Sequence, residues 1–285
     1  MFAHEFIRNA LLAGIPIALA CGAVGYFVVL RSQVFAGDAL SHVAFTGALA
    51  AAAAGVDLRL GLFAATVLVA ALLAGLGDRS RADDVLIGIV FVWMLGLGVF
   101  FLDLFNRGVN GGNGTVASRT LFGSIFGLST GQARLAALIG VCIVLSVVAI
   151  ARPLLFATVD PQVAAARGVP VGVLGAVFLV LLGVVTAEAT QAVGALLLLG
   201  LIAAPAGAAN KLTARPYLGL GLSCFFALAS VVLGIVAADV ISSLPPSTAI
   251  LGIAAAIYLA AFVSSSAAVF ARAVQHDVVE RDVVA

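Results

Sequence analysis

Apolar residues run through this chain in long blocks, broken by charges and prolines at about the 20-residue interval a helix needs to cross a bilayer. The blocks cover roughly residues 7–30, 38–56, 59–77, 84–103, 132–151, 170–188, 192–210, 216–238 and 247–265. Inside a block the polarity does not alternate, as barrel strands would require. The pattern therefore predicts an all-α, polytopic transmembrane helical bundle. The turns at Asp57-Leu58-Arg59 and around Glu188–Gln191 are very short. One of those two pairs of blocks reads as a broken or re-entrant element, giving about 8–9 spans.

Composition supports the same class. Apolar residues make up 64% of the chain, charged residues 9%, and mean hydropathy is +1.25. A soluble domain carries about 25% charge. Nothing is left over for a separate soluble domain, so residues 1–271 read as one membrane domain and 272–285 as a solvated cytoplasmic tail. The net charge of +1 and the lack of a basic cluster give no sign of nucleic acid as a partner. Cys21, Cys142 and Cys224 stand singly in apolar runs and read as small packing residues. The first block is too long for a signal peptide and reads as a retained span.

Arginine and lysine positions suggest an orientation. With the N-terminus outside, Arg31, Arg79, Arg81, Arg152, Arg167, Lys211, Arg215, Arg272 and Arg281 face the cytoplasm, and Arg8, Arg59, Arg107, Arg119 and Arg134 face out. That ratio, nine to five, favours N-out and C-in. Two connections are long. The outer one, Asp103 to Gly131, holds a flexible stretch from Asn106 to Gly114. After it comes Leu121–Ser129, too short to span but apolar enough to dip into the bilayer. The inner one, Arg152 to Pro170, holds a short helix with its signals in order: Asp160 as N-cap, Pro161 at the first helical position, Gly168 as stop. It reads as a docking element at the inner face, or as an ordinary interhelical loop with one helical turn.

The candidate chemistry is sparse. Asp38 and His42 lie one turn apart inside an apolar block. A carboxylate at mid-bilayer costs about 2.5–3.5 kcal/mol on insertion scales, so it calls for a partner or a purpose. At that spacing both side chains share a helix face and could converge on one divalent cation. The same spacing fits an internal Asp–His hydrogen bond, and the residues alone leave both readings open. Glu188 and Gln191, three residues apart, are further candidate metal residues: Glu188 is a third metal ligand or gate residue if it lies inside the bilayer, and a loop charge if at the outer surface. Asp239 reads as an outer-surface group that could contact a partner or metal, His4 with Glu5 as an outer metal contact or simply an exposed terminus, and His276 as part of the tail. Pro205 is expected to kink its helix. Trp93 and the scattered Phe residues read as lipid-facing or core.

Several stretches together resemble the membrane subunit of bacterial ATP-binding-cassette importers for zinc, manganese and iron. They are Arg31 followed by Gly37-Asp38-Ala39-Leu40-Ser41-His42; Asp84 to Phe91; Leu121-Phe122-Gly123-Ser124-Ile125; Asp160-Pro161 with Ala166-Arg167-Gly168-Val169; and Val193 to Leu197 running on to Ala203-Ala204-Pro205-Ala206. They appear in the family's order and cover nearly the whole chain. One departure stands out: Thr46-Gly47 occupies the place of the family's Pro-Gly after the histidine, which should leave that helix straighter.

The resemblance implies a permease of this importer type in the bacterial inner membrane. Two permease copies would form the path, an extracytoplasmic metal-binding protein would deliver the ion, and a cytoplasmic ATPase dimer would drive the cycle. Asp160, Pro161, Ala166, Arg167 and Gly168 would belong to the helix that docks on the ATPase, about residues 158–169. Asp38 and His42 would belong to the metal path. The chain has no Gly-x-x-x-x-Gly-Lys-Ser/Thr loop, so it is not its own motor and is not expected to be an enzyme. No tightly bound cofactor is expected; the metal is cargo. Carboxylate oxygen with imidazole nitrogen suits Zn²⁺, Mn²⁺ or Fe²⁺ better than Cu⁺, with a slight preference for zinc. The rivals are an ion-coupled secondary carrier, which would leave the Asp160–Gly168 helix without a task, and a scaffolding subunit, which would leave Asp38–His42 unexplained.

Overall fold

A computed structural model describes residues 5–76, 84–107, 115–241 and 244–284, with side chains left aside at 115–117, 119 and 267–284. The expectations for His4, Arg79, Arg81, residues 108–114 and the side chains of Arg119, Arg272, His276 and Arg281 lie outside what is described.

In hydrocarbon every backbone amide must find its partner inside its own segment, so each apolar run closes into a helix. The chain forms α1 (Glu5–Leu30), α2 (Val34–Ala53), α3 (Leu58–Leu76), α4 (Asp84–Arg107), α5 (Thr115–Phe122), a single 3₁₀ turn (Ile125–Gly127), α6 (Thr130–Val159), α7 (Pro161–Ala166), α8 (Val171–Val193), α9 (Leu198–Leu212), α10 (Pro216–Val240) and α11 (Pro246–Val284). Among the described residues there is no strand, and 8 helices are long and apolar enough to cross a membrane.

The ninth apolar run is the exception. α9 has 15 residues, roughly 22 Å at 1.5 Å per residue, against a hydrocarbon core of about 30 Å. The sequence suggested a turn at Glu188–Gln191. Instead α8 continues through both residues to Val193, and the chain breaks at Gly194. Gly194 (φ 97°) and Gly123 (φ 74°) both use the left-handed backbone region, and each lies against the other's backbone, where a Cβ would overlap. Three backbone bonds fasten the junction: Ala195 N–H to Thr120 O (3.0 Å), Leu196 N–H to Leu121 O (3.2 Å) and Ser124 N–H to Gln191 O (3.1 Å). The segment expected to dip inward is thus anchored to the α8–α9 break, with Ile125 fully buried.

α1 is the central helix, packed on α6, α9 and α10. Pro16 and Pro153 are accommodated inside α1 and α6, and Pro16 lies against Gly140 of α6. α2, α3, α4 and α8 form the other side of the bundle, with α3 packed on α2 and α8. α2 and α3 meet backbone to backbone where Gly47 faces Gly61. Small residues at such crossings are how membrane helices gain close packing without a hydrophobic drive. Cys21 is buried, Cys224 half-buried and Cys142 exposed, all as free thiols. Trp93 faces outward at 67% exposure, as do Val92 and Val99 on the same helix.

The turn from α1 to α2 is buried at Arg31 and Gln33, each 4% exposed. The Arg31 guanidinium donates to Thr158 Oγ1 (3.4 Å) and lies 5.5 Å from the centre of the Phe178 ring. α2 therefore starts inside the protein, and its first turns carry Asp38 and His42.

Candidate functional site: an open acid–imidazole pair beside a closed ion pair

α2 places Asp38 and His42 one above the other on one face, both half-buried. Gly37 lies beside Leu182, the middle residue of α8, so the pair lies level with the middle of that helix. The two side chains make no hydrogen bond to each other, and neither has a hydrogen-bond partner among the described residues. Nearby, the Ser41 hydroxyl donates to the Asp38 backbone carbonyl (2.7 Å), leaving the carboxylate itself open. The His42 imidazole meets α4, where the Phe91 ring stands edge-on with centroids 5.1 Å apart and planes at 81°. Among the described residues no group of three or more His, Cys, Asp or Glu side chains comes together.

Glu188 and Gln191 are brought elsewhere. Glu188 is 2% exposed on α8, and both its oxygens accept from Nη2 of Arg59 at the start of α3, at 2.9 and 3.0 Å. Arg59 is further fixed by Phe63, 5.8 Å below its guanidinium, while its backbone N–H donates to Asp57 Oδ1 (2.8 Å). Charge is balanced within the pair, as burial at this depth demands. Gln191 borders a cavity of about 130 Å³ together with Leu58, Thr120, Ser124 and Thr190. Ala44, Ala48, Leu62 and Ala187 form a small buried apolar group next to this cluster, and Leu62 also lines the cavity.

At the other end, α7 has the local geometry its sequence signals describe. Asp160 Oδ1 accepts from the N–H groups of Gln162 (3.1 Å) and Val163 (2.9 Å), Pro161 opens the helix, and Gly168 closes it at φ 81°. Ala164 is buried against its neighbours, while Gln162, Val163, Ala165, Ala166 and Arg167 are exposed.

Among the remaining candidates, Asp239 is half-buried in the last turn of α10. Glu5 is exposed and accepts from Thr130 Oγ1 (3.3 Å). Pro205 is buried inside α9. Two residues that matter to the site escaped the sequence reading. Arg59 looked like a loop charge, because its partner is 129 residues away. Thr46 looked like a gap in a motif, yet its hydroxyl donates across to the Met94 carbonyl of α4 (2.8 Å).

Comparison with known proteins gives a consistent answer. The model of the ABC 3 transport family matches residues 3–265. The chain is 30% identical over 236 residues to the manganese transport system membrane protein MntC of Halalkalibacterium halodurans, covering 82% of this chain and 79% of that one. It is 31% identical over 206 residues to the manganese import system permease protein ScaB of Streptococcus parasanguinis, covering 72% and 71%. Among solved structures it resembles PsaBC from Streptococcus pneumoniae in complex with Fab, with a TM-score of 0.78, 27% identity, and 91% and 92% of the two chains covered.

Proposed function

The chain belongs to the ABC 3 transport family, and from that premise we propose that it is the permease subunit of an ATP-driven importer of a divalent transition metal, manganese first. The relatives above are named for manganese, which weighs more than the slight preference for zinc that ligand chemistry gives. Zinc is the second cargo to test.

The observation that carries the reading is the open Asp38–His42 pair. A carboxylate and an imidazole inside an apolar bundle, on one face and without hydrogen-bond partners among the described residues, are left available for a ligand. Two ligands are too few for a divalent cation. A second copy of the chain, presenting its own pair across a shared path, would complete the shell. An ion held by few protein ligands also leaves readily, as transport requires.

The rest of the machine follows from that arrangement. The N-out orientation puts α7 on the cytoplasmic side, where its exposed Val163, Ala165, Ala166 and Arg167 form the docking surface for a partner ATPase. Asp160 and Gly168 hold that surface in shape. An extracytoplasmic binding protein delivers the ion to the opposite end. Glu188 and Gln191 belong to the outer part of the path. Glu188, with both oxygens on Arg59, serves as its closure and not as a ligand of the ion at Asp38.

The test is ATP-dependent uptake of Mn²⁺ and Zn²⁺ into vesicles carrying the full complex, with Asp38→Ala and His42→Ala beside the native chain. The expected result is loss of uptake in both variants with ATPase assembly intact. Uptake that persists in both variants, or that needs no ATPase, would overturn the reading.

A further inference from the structure

α4 rests on one neighbour. Among the described residues only α2 packs against it to any depth, and 11% of its most apolar stretch is buried within the chain. Among the described residues, the place of α4 beside the candidate metal pair is therefore set mainly by one helix–helix contact.

That contact has two rungs. The first is aromatic: the Phe91 ring stands edge-on to His42 and also touches Phe35, with centroids 5.9 Å apart. The second is polar: Thr46, 4% exposed, donates its hydroxyl proton to the Met94 carbonyl oxygen at 2.8 Å. His42 and Thr46 are four apart on α2, and Phe91 and Met94 three apart on α4, so each helix presents both rungs on one face. Gly98 makes the polar rung possible. A Cβ at that position would sit 2.9 Å from Thr46 Oγ1 and 3.7 Å from the Phe45 ring, so any larger residue presses on the hydroxyl.

A histidine that ligates a metal usually has its other ring nitrogen fixed by a carboxylate, a carbonyl or water, and loss of that partner costs metal affinity. Among the described residues His42 has no such hydrogen bond, and what it has is Phe91. Packing has to do the orienting. We infer that Thr46, with Gly98, is the positioning element of His42: the Thr46–Met94 bond fixes the register of α4 on α2, and that register seats Phe91 against the imidazole beside Asp38. The hydroxyl thus gives the threonine a use of its own in a position where proline could donate nothing.

This inference rests on Asp38 and His42 being the transport site, and its test separates the two ideas. Mn²⁺ uptake is measured in vesicles holding the full complex with Thr46→Val, Thr46→Ser, Gly98→Ala, Phe91→Leu and Asp38→Ala. Thr46→Val removes the donor at constant shape, Gly98→Ala crowds it from the other helix, and Phe91→Leu removes the ring edge. Each of the three is expected to raise KM for Mn²⁺ about 10-fold with the maximal rate and ATPase co-purification held, while Thr46→Ser stays near native. If KM is unchanged in all three while Asp38→Ala abolishes uptake, the positioning role is wrong and the site stands. If rate falls in step with the amount of assembled complex at native KM, Thr46 is structural only and the inference also fails. Uptake that survives Asp38→Ala removes the site on which the inference rests.

Discussion

Asp38–His42 and Arg59–Glu188 are both acid–base pairs inside an apolar bundle, and they are built in opposite ways. The first comes from a single turn of one helix, is half-buried, and is unbonded among the described residues. The second joins two helices 129 residues apart, buries its acid to 3% side-chain exposure, and uses both carboxylate oxygens on one guanidinium. A closed pair has its charges answered from within and contributes to the fold. An open pair has no answering group among the described residues and is free to take a ligand from outside the chain. The contrast separates structure from site more clearly than burial alone.

Stability measurements on detergent-purified protein can break that contrast. The largest effect belongs to Glu188→Ala, which leaves a guanidinium without its carboxylate and should cost about 3–5 kcal/mol. Arg59→Met with Glu188→Leu should recover most of the loss, because the charge disappears along with its partner. A native melting temperature in Glu188→Ala would show that the pair is not a structural closure. Asp38→Ala should move the other way or not at all, since the carboxylate has no hydrogen-bond partner among the described residues to lose. A large loss of stability in that variant would instead make Asp38 part of the fold.

Smaller effects sharpen the comparison. Gly47 and Gly61 hold α2 against α3 between the two pairs, so Gly61→Val should cost about 1–3 kcal/mol by overpacking. It should impair uptake as well, because it displaces the helix that carries His42. Normal uptake in Gly61→Val would separate the two regions completely. Asp160→Ala, far from both, should cost about 1 kcal/mol through loss of the α7 cap. The clearer readout there is weaker ATPase co-purification at unchanged Mn²⁺ KM. A shift in KM would mean that α7 communicates with the site in a way the cap alone does not explain.

What the sequence made legible follows from the range of each interaction. The spans are local, since apolar content and length suffice to define a helix in hydrocarbon. α7 is local too, because Asp160, Pro161 and Gly168 carry its start and stop within nine positions. The end of α8 was misjudged for a physical reason. Glu188 and Gln191 interrupt the apolar run and so imitate a turn, but Arg59 arrives from α3 to answer the charge, and the helix continues to Val193. Gly194 then makes the break, held by backbone bonds to a segment some 70 residues earlier that no local pattern announces. Asp38 and His42 were legible as a pair because they share a turn. Phe91 and Thr46–Met94, which frame them, depend on α4 lying against α2.

The central claim is that Asp38 and His42 are left open for a divalent cation. Its most direct test is equilibrium binding of Mn²⁺, followed by electron paramagnetic resonance of the free ion, to the assembled permease with native sequence, Asp38→Ala and Glu188→Gln. The expected result is binding to the native chain, none to Asp38→Ala at the same melting temperature, and near-native binding to Glu188→Gln. Binding that survives Asp38→Ala but disappears in Glu188→Gln would contradict it and move the ion to the outer cluster.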